Sequence, residues 1–168
     1  MNFRKPQLIR LLWLFGGAIV VIALDQLIKN YLIETLSAGT PIDFIGSLIR
    51  LNLVYNDSAA FSIGFGATWI FTVISSIAVL VLLWFSFKIE TTGWAIMAGI
   101  MLGGVTGNLI DRLIREPGFA VGHVVDYIQI PFNFPIFNLA DMAIFTICSL
   151  SVIRVMRGDQ IGRKRVDK

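Results

Sequence analysis

Four aspartates stand where so apolar a chain should least tolerate them. Asp25, Asp111, Asp126 and Asp141 lie inside or beside long uncharged stretches, accompanied by Asn56, Asn108, Asn138 and Arg112. A carboxylate is expensive to place in hydrocarbon, so one inside a membrane span marks function by default. Two carboxylates held close together cannot both ionise: one keeps a proton near neutral pH while the other stays a base. Such a pair can activate a water and protonate a departing amine, and it requires no metal or cofactor. Asp126 and Asp141 are the natural pair, one delivered by a loop and the other by the helix which that loop feeds. Spacing alone does not prove the choice.

Other hydrolytic designs fit less well. The chain has no H-E-x-x-H and no G-x-S-x-G, and its one histidine, His123, leaves neither a histidine-built zinc site nor a base beside a serine. A serine–lysine dyad is left only Lys29, near Ser58 or Ser62, because Lys88 falls on the other side of the membrane. Cys148, the one cysteine, reads as a core residue rather than a nucleophile.

Each polar residue also has an ordinary reading. Asp25 and Lys29 are spaced i, i+4 and can pair on a helix end. Asn138-x-x-Asp141 has the form of a capping box, worth about 1 kcal/mol to the helix that follows. Arg112 and Arg115 can serve as anchors at lipid phosphates. Gly99, Gly103 and Gly107, four apart, read as a stripe for close helix packing.

The elements that must position these residues follow from composition. Of 168 residues, 56% are hydrophobic and 15% charged, with a net charge of +3, too apolar for one small soluble core. The same composition argues against disorder, the single Cys148 against a disulfide scaffold, and the placing of Lys and Arg mostly at the chain ends against a nucleic-acid module. Crossing a hydrocarbon core of about 30 Å takes roughly 20 apolar residues. Four stretches qualify, at about 11–33, 69–87, 94–112 and 137–154. A cleavable signal peptide is the other reading of the first, but Asp25-Gln26 follows it in place of a small-residue cleavage site. The expectation is one integral membrane unit over 1–168: an all-α bundle of four transmembrane helices with a small extracytoplasmic strand platform.

With both termini inside, ten Lys and Arg fall on the cytoplasmic side and four outside, the bias expected of inner segments. The outer segments 34–68 and 113–136 are the long ones, so function should face outward. In the first, Ile49, Leu51, Leu53 and Tyr55 alternate with Arg50, Asn52 and Asn56, predicting a strand at the interface that could hold an extended peptide by edge pairing. In the second, Pro131 and Pro135 forbid a continuous helix, leaving Asp126 on an extended segment. At about 1.5 Å rise per residue, Asp25 lies roughly 9 Å below the outer surface, Asp141 about 6 Å below it and Asp111 near it. The 155–168 tail reads as a basic anchor at the inner membrane surface. A proton-coupled four-span carrier would instead spread its carboxylates through the depth, and a non-catalytic assembly subunit would need the glycine stripe but not Asp126.

Five segments together resemble the lipoprotein signal peptidases (signal peptidase II). They are Asp25-Gln26-Leu27-Ile28-Lys29, Asn56-Asp57-Ser58-Ala59-Ala60-Phe61-Ser62, the run from Gly103 to Arg112, Gly122-His123-Val124-Val125-Asp126-Tyr127, and Phe137-Asn138-Leu139-Ala140-Asp141. The resemblance implies a bacterial inner-membrane aspartic endopeptidase with catalytic Asp126 and Asp141. Asp25, Asn56, Asn108, Arg112 and Asn138 then support the dyad or contact substrate. It also implies a substrate and a cut: a prolipoprotein whose lipobox Cys carries a diacylglyceryl group, cleaved just before that Cys. The remaining expectations are membrane lipid as a partner, no metal or nucleic acid, and a monomer. The family usually reads Asn-Thr-Gly-Ala-Ala-Phe where this chain has Asn56-Asp57-Ser58-Ala59-Ala60-Phe61, which removes a glycine from a turn beside the site and adds a carboxylate.

Overall fold

The computed structural model describes residues 5–57 and 68–163. The second sequence block beyond Asp57, with both serines of the serine–lysine alternative, lies outside them, as do Arg4 and the last five residues of the basic tail.

Among the described residues, four helices are long and apolar enough to cross a membrane: α1 (Lys5–Thr35), α2 (Thr68–Ser86), α3 (Thr92–Ile114) and α4 (Leu139–Met156). Three strands complete the described chain: β1 (Ile42–Ile45), β2 (Ile49–Asn56) and β3 (Val124–Gln129), antiparallel in the order β1-β2-β3. α1 and α3 run past their hydropathic stretches at both ends, α1 beginning at Lys5 rather than near 11, whereas α2 and α4 keep the expected length and are shifted by one and two residues.

α3 lies at the centre, packed on α1, α2, α4 and β3, and most of its span is buried. The glycine stripe makes this approach possible. A Cβ at Gly103 would stand 2.6 Å from the Cβ of Val21 and 2.8 Å from the Ala18 carbonyl, and Gly99 meets the Leu14 backbone in the same way. At Gly107 a Cβ would collide with Asp25 Oδ2 at 2.6 Å, so the missing side chain also makes room for a carboxylate between helices. Below this seam, Leu14, Ala18, Trp94, Ala95, Leu102 and Ile147 form the packed core. α1, α2 and α4 turn their apolar outer faces away from the protein, as helices in lipid do.

That outward face corrects one expectation: Cys148 is exposed on α4 rather than in the core. In a membrane helix an apolar neighbourhood does not imply an inward direction, because lipid is as apolar as the core. The strand expectation also needs correction. β2 forms over 49–56, but it is the middle strand: Ile49, Arg50 and Leu51 pair with β1, while residues 50–56 pair with β3. Both edges of its first half are occupied, so that half has no free edge for a peptide. The alternation is further broken by a bulge between Leu51 and Val54, which puts Leu53 inside and Tyr55 outside.

At the opposite end of the bundle, the turn after α2 meets the chain that follows α4. The Glu90 amide donates to the Gly162 carbonyl at 2.5 Å. Arg154 pairs with Asp159 at 2.8 Å and lies 4.5 Å over the Trp94 ring.

Candidate active site

Asp126 sits on β3 and Asp141 in the first turn of α4, and both face the same groove. Local chemistry explains each position. Pro131 and Pro135 end the strand and force a turn, after which Phe137 pairs back on Ile128. Asn138 then caps α4: its side chain accepts from the Asp141 amide at 3.0 Å, and Asp141 Oδ2 accepts from the Asn138 amide at 3.1 Å. The capping box is therefore present, and it is also what fixes the Asp141 rotamer, so the structural reading and the site reading are one arrangement. β3 is held in turn by β2, which brings Asn56 opposite Val124 and beside Asp126.

Two amides bridge the carboxylates. The Asn138 Nδ2 donates to Asp126 Oδ1 at 2.6 Å and to Asn108 Oδ1 at 3.1 Å. The Asn108 Nδ2 donates to Asp141 Oδ1 at 2.7 Å. Asn56 Nδ2 supplies a second donor to Asp126, at Oδ2 and 2.7 Å. Asp126 is almost completely buried, 2% exposed, whereas Asp141 retains partial access to the groove. Burial pushes the Asp126 carboxyl up to about 7, and the nearby Asp141 charge pushes in the same direction; the Asn56 and Asn138 amides and Lys29 pull only partly back. At neutral pH Asp126 therefore carries a substantial share of a proton. Tyr127, next on the strand and buried, accepts from the Leu139 amide at 3.2 Å through its phenol oxygen, and burial first, then the surrounding aspartates, hold that phenol protonated well above its ordinary range.

Asp25 does not reach the dyad. Its Oδ1 accepts from the Ala140 amide at 3.2 Å, bracing the first turn of α4, and its Oδ2 meets Lys29 at 2.8 Å. Lys29, fully buried, also meets Asp111 at 2.7 Å. Asp111 in turn accepts from the Val125 amide at 3.2 Å, tying α3 to the strand that carries Asp126. Arg115 is no lipid anchor: its Nε lies 2.6 Å from Asp111 Oδ1 and its Nη2 reaches Asn30 Oδ1 at 3.0 Å. Arg112 lines the groove, donates to the Asn108 carbonyl at 3.4 Å and stands 5.9 Å over the Phe71 ring.

Sequence reasoning gathered Asp25, Asn56, Asn108, Arg112, Asp126, Asn138 and Asp141 on one face, and the structure brings all seven to one end of the bundle. It missed the reach of Lys29 to α3 and the supporting parts of Gln26, Arg115 and Tyr127. Gln26 Nε2 donates to Asp111 Oδ1 at 3.1 Å and to the Gly107 carbonyl at 3.1 Å. A signal for Lys29 existed, since an ammonium within a span has three donors to satisfy and the i−4 carboxylate alone does not take them all.

The groove encloses about 1060 Å³. Its polar end holds Asn56, Asp126 and Asp141, and its apolar wall follows α4 along Ile144, Phe145 and Cys148. A molecule part polar and part hydrocarbon fits such a space.

Comparisons with known proteins identify the family. The family model described as signal peptidase (SPase) II matches residues 17–157. The lipoprotein signal peptidase of Leifsonia xyli is 44% identical over 161 residues, covering 90% of this chain and 74% of that protein. The enzyme of the same name from Mycobacterium tuberculosis is 37% identical, covering 94% of this chain and 79% of its own. Two bacterial membrane enzyme structures solved by the in meso method share the fold. One, at 2.3 Å resolution, has a TM-score of 0.76 at 25% identity over 90% of this chain and 92% of that one. The other, at 1.9 Å, has 0.74 at 26% identity over 85% and 92%. On the breadth of these matches and the four spans that carry them, the chain is a multi-pass membrane peptidase and belongs to the signal peptidase II family.

Proposed function

We propose that the chain is an aspartic endopeptidase that removes the signal peptide from diacylglyceryl-modified prolipoproteins, cutting just before the lipidated Cys of the lipobox. The observation that carries this reading is the pairing of Asp126 and Asp141 through Asn138 and Asn108 at the mouth of an apolar groove. The relatives' shared name, lipoprotein signal peptidase, supports the substrate class.

In the mechanism, Asp141 accepts a proton from a water as its oxygen attacks the scissile carbonyl carbon, while Asp126 gives its proton to the carbonyl oxygen. The tetrahedral diol that forms collapses when Asp141 delivers its proton to the amine nitrogen and the C–N bond breaks. A diol hydroxyl proton returns to Asp126, so both groups end as they began and one water is consumed. Desolvation by the strand and cap keeps the proton on Asp126 at rest. Asn56 and Asn138 hold Asp126 in place, and Arg112 at the groove wall is positioned to meet substrate carbonyls or the lipid ester. The acyl chains lie along Ile144 and Phe145, in continuity with the bilayer.

The same reading sets the orientation. N- and C-termini face the cytoplasm of a bacterial inner membrane, with the site near the outer surface where water and the translocated substrate meet. The chain works as a monomer, its site drawn from one copy's α1, α3, α4, β2 and β3.

Asp126→Asn and Asp141→Asn test the dyad. Each variant keeps the size of the side chain but sets an NH2 where an oxygen accepted a donor, so each is expected to fold and to melt somewhat below the parent, by about 1–2 kcal/mol of stability, while peptide cleavage falls by about 10³-fold or more. Cleavage at the parental rate in either folded variant removes that residue from the mechanism.

A further inference from the structure

Lys29 is fully buried, yet none of the chemistry above uses it directly. Its ammonium contacts Asp25 at 2.8 Å and Asp111 at 2.7 Å, which alone would make it a neutralising charge. The third contact, 3.0 Å to Asn108 Oδ1, does more. An ammonium has donors and no acceptor, so the atom of Asn108 that faces it must be oxygen. The NH₂ of the same amide is thereby turned to Asp141 Oδ1 at 2.7 Å. The same oxygen also takes the Asn138 amide that serves Asp126, so one atom of Asn108 orders the donors to both carboxylates.

This matters most partway through the reaction. While Asp141 is ionised it accepts only a donor, and the amide has one sensible orientation. Once Asp141 holds the proton taken from water it can donate as well, and a half-turn of the Asn108 amide would satisfy it equally. That half-turn would place NH₂ against the NH₂ of Asn138 and stabilise Asp141 in its protonated form, retarding delivery of the proton to the amine. A permanent donor on the other side of Asn108 forbids the turn.

We propose that Lys29 is a positioning residue that fixes the amide polarity of Asn108 through turnover, keeping Asp141 able to give its proton up. This rests on the dyad reading above. The groups that share the neighbourhood are Asp25 on α1, Asp111, Arg112 and Arg115 on α3, Asp126 and Tyr127 on β3, and Asp141 on α4. The function assigned to Lys29 is donation to Asn108, which charge alone does not provide.

The test separates donor from charge. In the Asp25→Asn background, where the buried pair is removed as a pair, Lys29→Gln keeps a neutral donor at position 29 and Lys29→Met keeps none there, leaving the Asn108 oxygen with the Asn138 amide alone. With both double variants melting alike in detergent, kcat of the Met variant is expected to fall about a hundredfold below that of the Gln variant at unchanged KM. Equal kcat in the two, whether high or low, overturns the proposal. Lys29→Leu takes the place of the Met variant if that one does not fold, and Asn108→Asp, which retains the Lys29 contact and the side-chain shape, tests separately the donor that Asn108 offers Asp141. It cannot donate to Asp141 unless protonated, so its activity should be lost at pH 7 and return on acidification. Parental activity at pH 7 would contradict the assigned polarity. Failure here with Asp126→Asn and Asp141→Asn still inactive would sink the role of Lys29 alone; activity in those two would sink the dyad reading itself.

Discussion

Asp126 concentrates the chemistry of the site into one environment. A carboxyl that is 2% exposed, with a second carboxyl beside it, keeps a proton to about pH 7 despite two amide donors that favour its charge. The direction follows from desolvation, which penalises the ionised form. In the mechanism the protonated form polarises the scissile carbonyl, so the contribution of Asp126 is fully present below that value and is lost as pH rises through it. We therefore expect kcat/KM on a lipobox peptide to decline about tenfold per pH unit above an apparent value near 7. A rate constant across pH 6 to 9 would show that no proton on Asp126 is required. The aspartates and asparagines were legible in the sequence because polar residues stand out in an apolar chain. The partners of Lys29 were not, since Asn108 and Asp111 are 79 and 82 positions away and only the α1–α3 crossing brings them together.

At the scale of elements, the glycine seam sets how close α1 and α3 lie, and hence whether the buried charges of one helix reach the carbonyls and carboxylates of the other. Gly103 offers the cleanest test because its would-be Cβ meets a backbone carbonyl and a branched side chain, neither of which can swing away. Gly103→Val gains a little helix propensity but must push two helices apart, a net loss of about 1–3 kcal/mol. Thermal unfolding in detergent should shift down accordingly, and activity should fall with it as Lys29 leaves Asn108. An unchanged melting temperature would mean that the seam is not closely packed. The seam was readable from spacing alone, as was the capping box of α4, because both are local patterns. The sheet was less so: a period of two identifies a strand but not its neighbours, and β2 proved to be central because β1 and β3 arrive from separate loops. Cys148 failed for the reason that hydrophobic neighbours point inward in water and in either direction in lipid.

The whole molecule is a scaffold with one polar end. α3 carries the packing at the bundle's centre, the sheet and the cap of α4 gather the polar residues at one end, and an apolar groove runs from them down α4. Carboxylates collected at one end of the bundle suit the proposed hydrolysis, in which water must meet a lipid-bound substrate; a carrier would need them along a path through the bilayer. The most direct measurement uses the purified full chain in lipid with two versions of one lipobox peptide, diacylglycerylated and unmodified, products being identified by mass spectrometry with EDTA present throughout. Cleavage is expected immediately before the lipidated Cys, undiminished by EDTA, with the unmodified peptide cut far more slowly. No cleavage of either peptide by folded protein, or cleavage that EDTA abolishes, would contradict the proposed function.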